Sequence, residues 1–423
     1  MRFSIFTPSH DLKNIDKSLK SLRKQTFKDF EWVLLLNGKA EDGKDDLIKK
    51  IKKAKINYKI VESFEKENKK IGYLKNECCK SCEGEILVEL DHDDELENNC
   101  LSELDKKFTE TDADFVYSSD YSVRVINGKE NYQTPFNIKF GWLKAEHAGK
   151  SYHPAFSPSA LTFSYIYYAP DHVRAWKSDF YNSIGGHDVE LEVCDDYDLL
   201  CRTYINGKCE LIPEPLYKYY FHEDNTAYGE KNEKIQELTH ELHDKYMLDM
   251  ASKWSDDLSL KKVDLCSCNN KPKGFIGVDE RKLNDDDIVF DLNKSDWPFE
   301  DGSVGLFRGQ DAVEHLRDPI NTMKEIHRCL CDYGWAIIDV PSTDGRGAFQ
   351  DPTHVSFWNS NSFWYYTKKE QAQFIGEPVK FQLNRISNYF PSDWHKFHNI
   401  LYTKAHLVKL PDDSIIPQGG REI

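Results

Sequence analysis

"GEILVELDHDDELENN", Gly84 to Asn99, decides how the chain is read. Its apolar run, Ile86 to Leu90, is interrupted only by Glu89 and has the length of a buried strand. It then empties into Asp91, His92, Asp93, Asp94 and Glu95. Three readings of that acidic turn compete. An EF-hand loop needs Gly at its sixth position, and Leu96 stands there. A plain helix start is admissible, because carboxylates near a helix N-terminus stabilise its dipole. The third reading is a divalent-metal site at the end of a parallel strand, with Asp91 and Asp93 holding a cation that in turn holds a diphosphate. Clustered carboxylates repel one another, and a cation accounts for that cost.

Outward from this turn the sequence alternates. Strand-like runs at Phe3 to Phe6, Trp32 to Leu36, Tyr58 to Val61 and Ile86 to Leu90 are separated by helical patterns. Ile15, Leu19 and Leu22 mark the first helix face, Leu47 and Ile51 the second, and Leu74, Cys78 and Cys82 the third. Strict alternation predicts an α/β fold with a parallel sheet covered by helices on both faces. Ligands bind such sheets at the carboxyl ends of the strands. Thr7 to His10, Asn37 to Lys39 and Asp91 to Asp94 are therefore expected on one rim. The aromatic, His-bearing stretch 138–169 is broken by Pro154 and Pro158, with Pro170 following, and reads as a functional loop. A polar helix and linker follow, "HELHDKYMLDMASKWSDDLSLKK", and a second alternating series starts at "KVDLCSC". Two domains are expected, 1–255 and 256–423.

Composition narrows the function classes. The formal net charge is −16, with 72 acidic against 56 basic residues, so bulk nucleic acid and anionic lipid are not expected partners. Lysines crowd the N-terminal helices, but there they alternate with Leu and Ile as solvated helix faces. No apolar segment approaches the ~20 residues of a membrane span. The start, "MRFSIFTPSHD", reads as a strand and not as a secretory signal, which makes the cytoplasm the expected location. The 11 cysteines then read as reduced thiols. Cys266, Cys268, Cys329 and Cys331 make a four-thiolate zinc site conceivable, against the usual C-x2-4-C spacing.

"FSIFTPSHDLKNIDKSLKSLRKQTFKDFEWVLLLNG", "IGYLKNECCKSCEGEILVELDHDD" and "GGHDVELEVCDDYDLLCRTYINGKCELIPEPLYKYYFHEDNTA" together resemble the family 2 glycosyltransferases of the GT-A fold, over roughly residues 1–230. The resemblance implies inverting transfer from a UDP-, GDP- or dTDP-sugar to a glycan hydroxyl, with Mn2+ or Mg2+. It puts the family's D-x-D motif on Asp91 and Asp93 with Asp94 completing it, and a further metal ligand on His222. Asp196 becomes the base that takes the acceptor proton, with Asp195 and Asp198 expected to raise its pKa. Thr7, Pro8, Asn37, Lys75, Asn76, Asp91, Asp94, Gly185 and Gly186 are expected around the nucleotide sugar. Trp176 and Asp195 are expected on the acceptor side. Leu36 and Asn37 depart from the family's paired aspartates after the second strand.

"KVDLCSCNNKPKGFIGVDE", "DIVFDLNKSDWPFEDGSVGLFRGQDAVEHLRDPINTMKEIHRCLCDYGWAIIDVPS" and "AFQDPTHVSFW" resemble class I S-adenosylmethionine-dependent methyltransferases over about residues 261–370. The resemblance implies a Rossmann-like domain with Asp264, Cys266, Cys268, Asp279 and Asp291 around S-adenosylmethionine. Asp279 would hold the ribose hydroxyls, and His315 and His354 would act as base or substrate contacts. The family's glycine loop is replaced by Asp264-Leu265-Cys266-Ser267-Cys268, whose Cβ atoms at both glycine positions are expected to crowd the methionine moiety unless the backbone keeps φ below zero. Two outcomes follow: methylation of the same glycan, or a retained fold serving as a glycan-binding or scaffolding module.

Overall fold

Seven consecutive buried residues, Phe30–Leu36, form strand β2 of the N-terminal sheet, between the strands Asn57–Glu62 and Phe3–Ser9. A strand covered on both faces reads as an unbroken apolar run, and "FEWVLLL" is one. The computed structural model describes residues 1–64, 70–133, 145–164, 170–221, 232–282, 284–285, 287–378 and 381–411. It divides into two units, Met1–Met250 and Ala251–Ile423.

In the first unit β1 (Phe3–Ser9), α1 (Ile15–Lys24), β2, α2 (Lys44–Ala54), β3 (Asn57–Glu62), α3 (Ile71–Cys79) and β4 (Ile86–Glu89) alternate as the sequence predicts. After them come β5 (Glu95–Leu96), α4 (Cys100–Glu110), β6 (Phe115–Ile126), β7 (Lys129–Tyr132), the small β8–β9 hairpin (Ala145–His147, Lys150–Tyr152), β10 (Arg174–Lys177), α5 (Ser178–Ser183), α6 (Asp195–Asn206), β11 (Cys209–Phe221) and α7 (Asn232–Asp257). The strand order is β3-β2-β1-β4-β10-β6-β11-β5, with β7 paired to β6. The first four are parallel, whereas β10 is antiparallel to both of its neighbours. Leu19, Leu22, Leu47 and Ile51 bury the predicted helix faces against this sheet.

Asp94 shows what holds the acidic turn in place. It is buried, and its carboxylate accepts hydrogen bonds from the Tyr220 amide (2.8 Å) and the Tyr217 hydroxyl (2.9 Å), both on β11. Ser18 on α1 donates to its carbonyl at 3.0 Å. Burial first, then Asp93 and Asp91, push its pKa well up. Asp94 is thus an anchor for the turn, which corrects its expected place against the nucleotide sugar.

In the second unit β12 (Lys261–Leu265), β13 (Ile276–Asp279), β14 (Ile288–Val289), β15 (Val304–Gln310), α8 (Pro319–Cys329), β16 (Leu330–Pro341), β17 (Phe381–Tyr389) and β18 (Tyr402–Lys409) build a sheet ordered β14-β13-β12-β15-β16-β18-β17. Five strands run parallel, and β18 is antiparallel to β16 and β17. Val263, Leu265, Phe307, Ile338 and Leu407 are in its core. All 11 cysteines are free thiols, and no helix among the described residues is long and apolar enough to cross a membrane.

Asp94→Ala would strip the Tyr217 hydroxyl and Tyr220 amide of their acceptor. The expected loss is about 2–4 kcal/mol in denaturant unfolding. An unchanged midpoint would contradict the anchoring role.

Candidate active site

A chain of alternating charge crosses the interior beneath the acidic turn. Lys75 of α3 sends Nζ to Glu89 Oε1 at 2.7 Å and to Asp195 Oδ2 at 3.4 Å. Arg174 of β10 reaches Glu89 Oε2 at 3.4 Å and Asp196 Oδ2 at 3.0 Å. The order is therefore Asp195, Lys75, Glu89, Arg174, Asp196, and both ends sit on the first turn of α6, where the helix dipole favours anions. Glu89, Lys75, Arg174 and Asp195 are all buried. Lys75 and Arg174 overcome burial and hold Glu89 well below the usual carboxylate range.

The two helix-start aspartates diverge. Burial raises Asp195 to about 6, against the lowering by Lys75. Burial also opposes ionisation of Asp196, but Arg174 and then Lys75 outweigh it and leave the pKa below its ordinary value. This corrects the expectation that Asp195 and Asp198 raise Asp196. Asp198 is instead occupied by Arg202 (2.9 Å) and the Tyr246 hydroxyl (2.6 Å). The Asp196 side chain retains 25% exposure against 5% for Asp195, so Asp196 is the more accessible of the two.

At the turn, Asp91 donates its amide hydrogen to the Tyr217 hydroxyl at 3.1 Å, and its carboxylate lies 3.6 Å from His172 Nε2. His172 stacks on Tyr217 at 4.7 Å and sets Nδ1 3.3 Å from Asp171. Glu89, Asp91 and His172 each place a ligand atom within 4.8 Å of the others. Burial, then Glu89 and Asp93, raise Asp91 despite His172 and Lys75. Two half-buried carboxylates at Asp91 and Asp93, one of them reluctant to ionise, suit a hard divalent cation. Glu89 is already neutralised by Lys75 and Arg174, whereas Asp91 and the His172 imidazole face one another at the turn. His222 lies outside the described residues. Sequence reasoning missed Glu89, His172 and Arg174; a lone Glu inside the apolar run was the one visible signal.

Several other expected site residues also make contacts within the fold. Thr7 is buried and accepts the Trp32 indole hydrogen bond at 2.9 Å, and Asn37 is buried at the end of β2. Pro8 is half-buried on β1 beside them. Trp176 is 1% exposed, bonded to Thr203 at 3.0 Å and packed on Phe115, so its expected role as acceptor platform is corrected to core. Lys75 serves the charge chain. Asn76 donates to the carbonyls of His187 (3.0 Å) and Gly185 (3.4 Å), tying α3 to the glycine turn. Gly185 and Gly186 have φ of 87° and 64°, and a Cβ on Gly186 would sit 2.7 Å from the Tyr181 ring.

In the second unit Asp264 on β12 is bonded to Arg308 at 2.7 Å, and burial nevertheless raises it to about 6. Asp279 ends β13 and accepts the Arg281 amide at 3.1 Å. Asp291 follows β14, with its pKa lowered first by the Asn293 amide. Cys266 and Cys268 have φ of 49° and 39°. Both cysteines thus occupy the left-handed region that favours glycine, so the tolerant backbone with φ below zero is not the one adopted. Cys268 Sγ lies 3.9 Å from Asp279 Oδ2. None of the candidate metal clusters among the described residues contains a cysteine.

Residues 4–163 match the model of the family described as "Glycosyl transferase family 2". The N-terminal region carries a glycosyltransferase family 2 domain. The match takes in β1 to β4 and the acidic turn, while His172, Arg174, Asp195 and Asp196 lie beyond it. Chondroitin synthase of Escherichia coli is 25% identical over 229 residues, 53% of this chain and 29% of that protein. The chain thus spans under a third of that relative's length. S. aureus TarS 1–349 in complex with UDP-GlcNAc is 19% identical, covering 61% of this chain and 72% of that one, with a TM-score of 0.45. A longer S. aureus TarS structure is 20% identical, covering 52% and 37%, with a TM-score of 0.42.

The glycosyltransferase domain also holds two buried groups with opposed pH dependence. His187, whose Nε2 lies 3.7 Å from Asp195, is pushed down to about 3 by burial and then Lys75. As pH falls from 6.5 toward 3, the unfolded chain takes a proton that folded His187 refuses, and stability falls. Between 3.8 and about 6, folded Asp195 keeps a proton that the unfolded chain releases, so its contribution to stability grows as pH falls. The two slopes oppose each other. Asp195→Asn should uncover the His187 slope, with stability dropping about 2 kcal/mol more than wild type between pH 7 and pH 4.5 in denaturant titrations. Parallel profiles would refute the assignment.

Proposed function

We propose that the chain is a metal-dependent, inverting glycosyltransferase that moves a sugar from a nucleotide diphosphate to a glycan hydroxyl. The observation that carries this reading is the acidic turn Asp91–Asp94 at the carboxyl end of β4, inside the matched domain, with Glu89 at the end of the same strand joined through Arg174 to Asp196. Asp196 accepts the acceptor hydroxyl proton as the new C–O bond forms at the anomeric carbon and the bond to the diphosphate breaks. Arg174 keeps Asp196 ionised and oriented. Asp91 and Asp93, with His172 beside them, would hold the divalent cation. When bound, such a cation supplies positive charge against the departing diphosphate. A glycan acceptor is in keeping with the name of the chondroitin synthase relative.

UDP-, GDP- and dTDP-sugars are the donors to screen, each with Mn2+ or Mg2+. Asp93→Ala should abolish metal-dependent nucleotide binding in calorimetry. Asp196→Asn should leave binding within about threefold and lower transfer by at least about a hundredfold, because metal and base act at different steps. Near wild-type turnover in Asp196→Asn would remove it as the base. No turnover and no nucleotide binding with any donor would favour a glycan-binding or scaffolding role.

The sheet order of the second unit supports a class I methyltransferase-like reading, with Asp264, Asp279 and Asp291 at the carboxyl ends of parallel strands. The cysteines at left-handed positions argue that its S-adenosylmethionine loop is strained. Replacing Cys266 and Cys268 by Gly should raise stability by about 1–2 kcal/mol per site. The same variant should bind S-adenosylmethionine in calorimetry more tightly than wild type. A destabilised variant would mean that the thiols carry more than the backbone strain costs.

A further inference from the structure

We infer that the second unit carries a site for a divalent transition-metal ion of the Zn2+ class, held by Glu314, His315 and His354. The inference is independent of S-adenosylmethionine and of the glycosyltransferase reading. Glu314 and His315 belong to the short turn Val313–His315 that follows β15, and His354 comes from a distant loop. The amides of Val355 and Ser356 donate to the Glu314 carbonyl at 2.9 and 3.0 Å, and Ser356 Oγ donates to the Val313 carbonyl at 2.9 Å. The two segments are thereby locked together, and one ligand atom of each residue lies within 4.8 Å of the others. Donors around a bound ion sit about 3 Å apart, a closure that side-chain rotation supplies.

Two further observations point to a cation. Glu314 is 2% exposed, and neither carboxylate oxygen has a hydrogen-bond partner of good geometry. A buried carboxyl in that condition must either keep its proton or meet a positive charge, and a cation at this position would supply that charge. Both imidazoles are also set in the orientation of metal ligands. His354 Nδ1 faces the Ala348 carbonyl at 2.9 Å, and His315 Nδ1 faces the Thr353 carbonyl at 3.2 Å. The Thr353 hydroxyl, also 3.2 Å from His315 Nδ1, gives its hydrogen to Asp351 at 2.6 Å. Nδ1 must therefore be the donor in each ring, which leaves Nε2 with its lone pair. Two neutral imidazoles and one carboxylate select a borderline ion over Mg2+ or Ca2+ and leave coordination positions open for water or an oxygen ligand.

The test is calorimetry of the chelator-stripped full chain with ZnCl2, followed by visible absorption after Co2+ loading. A submicromolar site is expected, with d–d bands indicating nitrogen ligation. His354→Ala and Glu314→Gln should each weaken that site about a hundredfold. Asp91→Asn should leave it in place. Any Zn2+ taken up by the separate His10, Asp11 and His92 group would remain in all of these variants and be counted apart. Circular dichroism checks the fold of Glu314→Gln, and His354→Ala, at a half-buried position, decides the matter if that variant fails. Zinc stoichiometry and affinity unchanged in His315→Ala and His354→Ala, or no zinc binding at micromolar concentration, would overturn the inference.

Discussion

Glu89 is a carboxylate at the carboxyl end of a buried strand, and the candidate-site half of the first unit is arranged around it. Removing such a group from water costs several kcal/mol unless opposite charges meet it with good geometry. Lys75 and Arg174 do so from two different elements, and each cation then needs a further anion. Asp195 and Asp196 provide those anions from one helix end. The requirement to neutralise one side chain thus fixes α3, β4, β10 and the start of α6 relative to one another. Replacement of any member by an apolar residue would leave its neighbour buried and unpaired, the costlier of the two ways to alter an ion pair.

This dependence also explains which parts of the site were legible in the sequence. The strands β1 to β4 were visible because parallel strands buried on both faces are apolar runs, and their helices because one face repeats at helical spacing. The strand β1 extends to Ser9, past the predicted Phe6, because the Thr7 hydroxyl is satisfied by the Trp32 indole and can be buried. The acidic turn was visible as a local excess of charge. Arg174 was not, since its partner Glu89 is 85 residues away in the chain and nothing local marks the pair. Trp176 was misplaced for the opposite reason: an aromatic residue near a site suits a sugar face and a core equally well, and only its contacts decide.

The second unit breaks local rules where its chemistry is expected. Cys266 and Cys268 carry side chains through backbone conformations that favour glycine, at a cost of about 1–2 kcal/mol each. Glu314 is buried without a well-formed hydrogen bond. Violations of this kind tend to gather at functional positions, where packing elsewhere supports them. Here they lie at the ends of β12 and shortly after β15, adjacent parallel strands of the sheet. The motif "AVEHL" was legible as a sequence signal, but the partnership of its Glu and His with His354 was not, because it depends on the hydrogen bonds that dock one loop on the other.

The divergence of Asp195 and Asp196 bears on how the proposed base works. A general base must be ionised before the reaction and must hold a proton afterwards, and a low pKa serves only the first need. Arg174 satisfies that need at Asp196, while the rise in pKa produced by crowding carboxylates is deflected to buried Asp195. The second need is met by the acceptor itself. As the hydroxyl oxygen bonds to the anomeric carbon it gains positive charge, and its proton becomes far more acidic than that of a free alcohol. A carboxylate of depressed pKa is then strong enough, provided transfer comes late in the attack. The charge chain anchored on Glu89 therefore fits a mechanism in which nucleophile and leaving group move first and the proton follows.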